Sequence, residues 1–369
     1  MTDSIDFIIK GEGEITLVEL LEAIANDGDL SKIAGIVYKE DGMVRDNPPR
    51  QLMEDLDGLP MAWELLDWKD YKYFILPNSR LGAVSTSRGC DKECTFCSQQ
   101  KYWMRKWRAR SPGDVVKEME ILNRDFDVNL VLLTDEYPTA DRKRWEGLLD
   151  LIIERGLDMR ILMETRAGDI VRDEDILEKY KRAGVIHIYV GTEATEQESL
   201  DHIKKDLSIE ESKKALLLLR DVGIITETSM ILGYPDETED SIARTLELAI
   251  EFNPDFAHFL AIAPWPYSDI YDELKDYIVV TDYRRYNLID PIVRPRSMTI
   301  EELNRAIVDC YRVFYMHKYA EMQFEKDEFK KNYMMTSMRL MMSNSFIKKK
   351  IGDIGEMPEE VRKIIGSVQ

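Results

Sequence analysis

From Ala83 to Ile262 the chain changes register six times between short apolar runs and amphipathic stretches. This alternation limits the possible folds more than any other feature of the sequence. Strands are expected at Ala83–Ser87, Asn129–Leu133, Arg160–Glu164, Ile186–Val190, Ile224–Leu232 and Asp255–Ile262. Helices are expected at Pro112–Arg124, Asp141–Glu154, Glu174–Arg182, Ser208–Asp221 and Glu239–Phe252. Ser111 before Pro112 makes a helix start, and Gly184 and Gly223 make helix stops. A strand, helix, strand order of this kind requires a parallel sheet with right-handed crossovers. Ligands of such sheets bind at the carboxyl ends of the strands.

The first strand leads into Ser87-Arg-Gly-Cys-Asp-Lys-Glu-Cys-Thr-Phe-Cys-Ser-Gln-Gln100. Cys90, Cys94 and Cys97 are spaced so that one short loop can bring three sulfurs to a common point. A 4Fe–4S cluster normally takes four thiolates, so three leave one iron open to a non-protein ligand. A structural zinc ion wants four protein ligands. The fourth cysteine, Cys310, lies far along the chain in an apolar helical stretch and reads as a core residue. Zinc binding and plain burial are the competing readings. Disulfides do not suit cysteines so close together in a chain with no visible signal sequence.

Composition narrows the class. The chain has 369 residues, is 44% hydrophobic and carries a net charge of −20. Such acidity argues against a general binder of phosphate backbones and suits a small-molecule substrate. The sequence has no apolar run long enough to span a bilayer and an acidic N-terminus, so a cytoplasmic protein with no nucleic-acid partner is expected. Against this acidic background Lys101, Arg105, Lys106, Arg108 and Arg110 form a local basic cluster interleaved with Tyr102, Trp103 and Trp107. It reads either as an anion-binding wall, with Arg108 a candidate, or as ion pairing with surface acids. Glu164 and Arg166, two apart on one strand, share a face and either bind polar ligand groups or pair with each other.

The cysteine spacing, with an aromatic residue before the third cysteine, resembles the signature of the radical S-adenosylmethionine (SAM) enzymes. Further stretches are similar to the anaerobic magnesium-protoporphyrin IX monomethyl ester oxidative cyclases of the cobalamin-binding class. They are Ser85–Cys90, Phe96–Lys101, Leu132–Pro138, His187–Ala194, Ala261–Pro266 and Tyr286–Pro291. The resemblance spans about residues 4–320. It implies a partial six-stranded (β/α) barrel with a helical C-terminal extension, and a 4Fe–4S cluster on Cys90, Cys94 and Cys97. It also implies SAM on the open iron and a 5′-deoxyadenosyl radical that oxidatively cyclises a tetrapyrrole. The low-potential electron donor would be a flavodoxin or ferredoxin. Glu136 matches the family's SAM-amino segment in position and acidity, although the family's glycines are missing from Thr134-Asp135-Glu136. Glu193 matches an acidic residue directed at SAM. Ile224–Tyr234 matches the segment flanking adenine, and Ala263–Tyr267 the loop that closes the site. A radical SAM methyltransferase or other carbon-skeleton modifier is the alternative enzyme. A non-catalytic Fe–S or zinc-binding accessory protein is the alternative class.

The expected organisation has four parts. Residues 1–28 read as a remnant of a flavodoxin-like cobalamin domain, with a strand around Phe7–Ile9 and a helix from Leu17 to Ala25. Residues 29–80 are a connector with a small hairpin around Asp41-Gly42. Residues 81–298 form the core, and 299–369 are helical. Met334, Met338, Met341 and Met342 share one helical face, which either packs or covers an apolar surface. No Asp-x-His-x-x-Gly motif is present, so the chain by itself is not expected to hold cobalamin. A separate cobalamin-domain chain would then complete it and pair with the Phe7–Ile9 edge.

Overall fold

A computed structural model describes residues 4–344. The N-terminal unit contains β1 (Phe7–Ile9), α1 (Glu14–Ala25), β2 (Ile36–Glu40) and β3 (Met43–Asp46). β1 pairs antiparallel with β2, and β2 with β3, across a turn in which Asp41 and Gly42 both have positive φ. Leu20, Ile33, Ile36 and Tyr38 form its core. The expected division at residue 28 therefore does not correspond to a break in packing. β1 is already paired on one side by the connector hairpin, and only its outer edge is open.

Then come β4 (Leu81–Val84), β5 (Ser87–Arg88), α2 (Gln99–Tyr102), β6 (Arg108–Ala109), α3 (Pro112–Phe126), β7 (Leu130–Leu133) and α4 (Arg142–Arg155). β8 (Arg160–Arg166), α5 (Ala167–Arg172), α6 (Leu177–Arg182), β9 (Val185–Glu193), α7 (Gln197–His202) and α8 (Ile209–Val222) continue the chain. β10 (Ile225–Leu232), α9 (Glu239–Phe252), β11 (Phe256–Ala261), α10 (Tyr271–Leu274), α11 (Ile300–Met322) and α12 (Glu328–Asn344) complete it. The main sheet has the order β11-β10-β9-β8-β7-β4, and every pairing in it is parallel. Within this sheet each strand lies beside the one that precedes it there, with the β5–β6 pair set apart between β4 and β7, the singly wound order that the alternation demands. β4 and β11 remain open edges.

Local chemistry sets the helix ends. Ser111 caps α3 with Pro112 in its first turn, and Asp141 caps α4. Ser208 with Glu211 and Thr238 with Ser241 form reciprocal capping boxes on α8 and α9. Two expectations are corrected here. The strand predicted at Ala83–Ser87 ends at Val84, because buried Asp135 accepts bonds from the Thr86 N–H and from the Thr86 and Ser87 hydroxyls. That grip bends the chain out of the sheet, and Ser87–Arg88 pairs instead with β6. The helix predicted at Glu174–Arg182 starts with a 3-10 turn before α6, and α5 precedes it.

Side chains alternate across the strands. One face, with Val131, Leu133, Ile161, Met163, Ile188, Val190 and Phe259, packs under α3, α4, α8, α9 and α11 in the main core. The opposite, inner face is apolar at the strands' amino ends. There Leu130, Leu162, Ile225 and Phe256 meet Tyr333, Met334 and Met338 of α12. Met334 and Met338 are therefore part of a packed floor, while Met341 packs against the main core. Met342 is not described beyond its place in α12, and 345–369 of the helical C-terminal expectation lie outside the described residues. Above the floor the inner face opens: Leu132 and Glu164 are exposed, and Tyr189, Glu227, Ile231, His258 and Leu260 are half-buried.

Candidate active site at the cysteine loop

The three cysteines follow β5 and precede α2, beside the carboxyl ends of the main strands. Backbone contacts fix the loop from both flanks. Thr95 N–H donates to the Ile203 carbonyl, and Ile270 N–H donates to the Thr95 carbonyl. Buried Gln100 donates through Nε2 to the Cys94 carbonyl at 2.9 Å and to Asp269 at 3.0 Å. Gly89 enters the loop at φ +91°, where a Cβ would run into the Lys106 carbonyl oxygen. Only glycine fits there.

All three thiols are half-buried and unpaired. Burial pushes each of them up, Cys90 to about 11. For Cys94, burial is opposed by nearby Lys205 and Arg166 and reinforced by Glu193. The protein alone therefore favours neutral thiols, and a bound metal would have to draw off their protons, as metals do with ligating thiols. Among the described residues no group of three Cys, His, Asp or Glu is arranged to hold a single metal ion. Three sulfurs on one loop, without a fourth protein ligand, fit a cluster with one open corner better than mononuclear zinc.

Three of the predicted acids converge beside this loop. Glu136, after β7, accepts from the Gly89 N–H at 3.1 Å and from Trp103 Nε1 at 2.7 Å. Glu193 ends β9 at φ +63°, an uncommon backbone for a residue with a side chain. It pairs with Lys205 at 2.9 Å and accepts from Ser229 Oγ at 3.1 Å. Glu164 faces the inside of the sheet, exposed but surrounded by protein. Burial, then the fields of Glu136, Glu193 and Asp135, push it up to about 7. Arg166 does not pair with Glu164. It donates to the Asp206 carbonyl and lies over the Tyr137 ring.

Arg108 is corrected. It is buried, donates to Glu12 at 2.9 Å and to the Met53 carbonyl at 2.6 Å, and covers the Trp103 ring. Arg110 grips Asp114 and Glu118, Lys101 pairs with Asp269, and Arg105 pairs with Glu93. Lys101, Arg105, Arg108 and Arg110 are thus paired with protein carboxylates. Arg108 ties the N-terminal unit to the core through Nη1, while its Nε and Nη2 are buried without a hydrogen-bond partner among the described residues. Glu12 also binds Arg88 at 2.9 Å. A cavity of about 510 Å³ opens beside this junction, lined by Gly11, Ser85, Arg88, Trp103, Thr134 and Glu136. Sequence reasoning missed Glu12 and Lys205, and it named Trp103 only as part of the basic aromatic segment, not as the donor to Glu136. The Gly11-Glu12-Gly13-Glu14 run and the lysine pair at 204–205 were the available signals.

With the geometry described, known proteins place the chain. The Radical SAM superfamily model matches residues 84–249, which hold the cysteine loop and most of the strand ends. An uncharacterized methyltransferase of Pyrococcus horikoshii is 30% identical over 85% of this chain and 68% of its own length. The chain belongs to the radical SAM superfamily. Membership implies a 4Fe–4S cluster and SAM, in keeping with the donor set at Cys90, Cys94 and Cys97. The anaerobic magnesium-protoporphyrin IX monomethyl ester cyclase of Rubrivivax gelatinosus is 36% identical over 98% of this chain and 66% of its own. The chain spans between about half and two thirds of the length of the first curated relatives it matches. Among solved structures, the radical SAM methyltransferase TsrM of Kitasatospora setae, determined with cobalamin and a [4Fe-4S] cluster, has a TM-score of 0.65. It shares 19% identity and covers 82% of this chain and 63% of that one. This likeness supports the fold, an open partial barrel. Among the described residues no helix is long and apolar enough to cross a membrane.

Proposed function

We propose that this chain is the core of a radical SAM enzyme that oxidatively cyclises a side chain of a magnesium tetrapyrrole. Similarity to the Rubrivivax cyclase along nearly the whole chain carries the substrate assignment. When bound and reduced, the cluster with SAM supplies a 5′-deoxyadenosyl radical. The residues here have simpler duties. Cys90, Cys94 and Cys97 hold three irons. Glu193, fixed by Lys205 and Ser229, and Glu136, fixed by Gly89 and Trp103, offer carboxylates for an ammonium group. Glu164, pushed up to about 7 by burial and the neighbouring acids, offers a hydroxyl donor in its protonated form in place of a third negative charge. The open inner face holds the substrate below the strand ends. A flavodoxin or ferredoxin supplies electrons, and a cobalamin-domain chain is the further partner. An exposed apolar side of α1, with Leu17, Val18, Leu21 and Ile24, supports such a partner.

A methyltransferase is the second reading, favoured by the Pyrococcus relative. Anaerobic reconstitution, reduction and incubation with SAM and magnesium-protoporphyrin IX monomethyl ester test both. About four irons per chain and 5′-deoxyadenosine are expected, and Cys94→Ala should lose both. A product that keeps its carbon count and gains the extra ring supports cyclisation. A gain of one methyl group supports methylation. Intact SAM over a zinc-loaded wild-type protein would sink both.

A further inference from the structure

The inner face carries a polar row that the cysteine site does not use. Glu227 of β10 lies between two histidines on the strands at its sides. His187 of β9 approaches it through Nε2 at 2.9 Å, and His258 of β11 hydrogen-bonds it through Nε2. The two histidines differ in what lies on their other nitrogen. His187 is buried, and its Nδ1 meets the Tyr333 hydroxyl at 2.9 Å, which in turn meets Tyr73 at 2.6 Å. His187 therefore belongs to the floor. His258 has no second partner among the described residues, and its side chain is 29% exposed on the open part of the face.

Burial opposes charge on Glu227, but the two histidines outweigh it and hold the carboxyl far below the usual carboxylate range. An anionic carboxylate against one ring nitrogen fixes the imidazole's orientation and makes the other nitrogen a better electron-pair donor. That is how metal-binding histidines are commonly supported. Flat and apolar side chains surround the His258–Glu227 pair on the open face, with Glu164 the further acid there. The Tyr189 ring lies nearly parallel to His258, 6.4 Å between centroids, and Leu132, Ile231 and Leu260 reach the same open face by strand alternation.

Resting on the tetrapyrrole reading above, we propose that His258 is the axial ligand, through Nδ1, to the metal of the bound substrate, with Glu227 as its positioning residue. Four ring nitrogens already hold the metal, so the fifth bond serves to place the macrocycle. It sets the height and rotation of the ring on the inner face, beneath the strand ends where the radical arises. It also discriminates between metallated and metal-free tetrapyrroles, because only the former reward a lone pair at that point.

The test is anaerobic optical titration of the full chain with magnesium-protoporphyrin IX monomethyl ester and, separately, with its metal-free form. The wild type should bind the magnesium form at least about tenfold more tightly, with the Soret shift of nitrogen ligation. His258→Ala should lose the shift and the preference while still binding the metal-free form, which also reports that the variant is folded. Added imidazole should restore the shift in His258→Ala. Glu227→Gln should weaken the magnesium form by about tenfold, and His317→Ala, on the solvent side of α11, should change nothing. Equal binding of the two forms by the wild type, or a shift that survives in His258→Ala, overturns the ligand assignment and leaves the tetrapyrrole reading in place. Binding of neither form overturns the tetrapyrrole reading, and the ligand assignment falls with it.

Discussion

Gly89 admits no side chain, and its left-handed backbone turns the chain from β5 into the cysteine loop. Gly89→Ala should therefore cost about 1–3 kcal/mol from backbone strain alone and lower the iron retained after reconstitution. Chemical denaturation and iron analysis of the same preparation check this. Glu164 gives a pH prediction. Its folded value of about 7 lies above its ordinary 4.5, so the native state binds more protons between these values. The group's contribution to stability thus falls as pH rises from about 4.5 to 7 and levels off above. Glu164→Gln should gain on the wild type through that window, measured by urea midpoints of the cluster-free protein at several pH values. The cysteines could be read from spacing, and Glu136 and Glu193 from their places after strands. The role of Arg108 could not. Sequence shows that a charge exists, but Glu12, its partner, lies 96 residues upstream and meets it only through tertiary packing.

At the scale of elements, the long periodic segments were legible because helix caps and apolar runs agree locally. The short ones were not. α5 has six residues, too few for a periodic signal, and the split of β4 from β5 depends on Asp135 reaching back 49 residues to Thr86. α12 could be foreseen as an amphipathic helix, but its role as a floor depends on which sheet face it meets. Fully buried Met334 packs there among Leu130, Leu162, Ile225 and Phe256. Met334→Ala should cost about 2–5 kcal/mol by leaving a cavity. Tyr333→Phe removes one hydroxyl from the link between Tyr73 and His187 and should cost about 1–3 kcal/mol. Urea unfolding of both variants tests the order, with Met334→Ala the weaker.

At the scale of the whole molecule, the N-terminal unit has a small core of its own, joined to the rest by Glu12, which Arg108 and Arg88 both grip, and by the Arg88–Glu14 pair. Its four buried apolar side chains cannot also enclose a corrin. None of the four histidines is followed by glycine three residues later. Hydroxocobalamin should therefore separate from this chain on anaerobic gel filtration, and stoichiometric co-elution would contradict that. Breaking the grip with Glu12→Gln should loosen the N-terminal unit while the core keeps its iron, which limited proteolysis read beside iron content would show.

The strand order has a further consequence for how the molecule is made. Because every strand of the main sheet pairs with the strand of that sheet synthesised before it, the sheet can grow strand by strand as the chain leaves the ribosome. α12, which seals the underside, emerges after every strand is in place. Until then Leu130, Leu162, Ile225 and Phe256 face water together. The nascent protein must therefore pass through a stage with a sticky underside, when chaperones have most to hold. A chain stopped after Met322 would remain at that stage, folded above and aggregation-prone below.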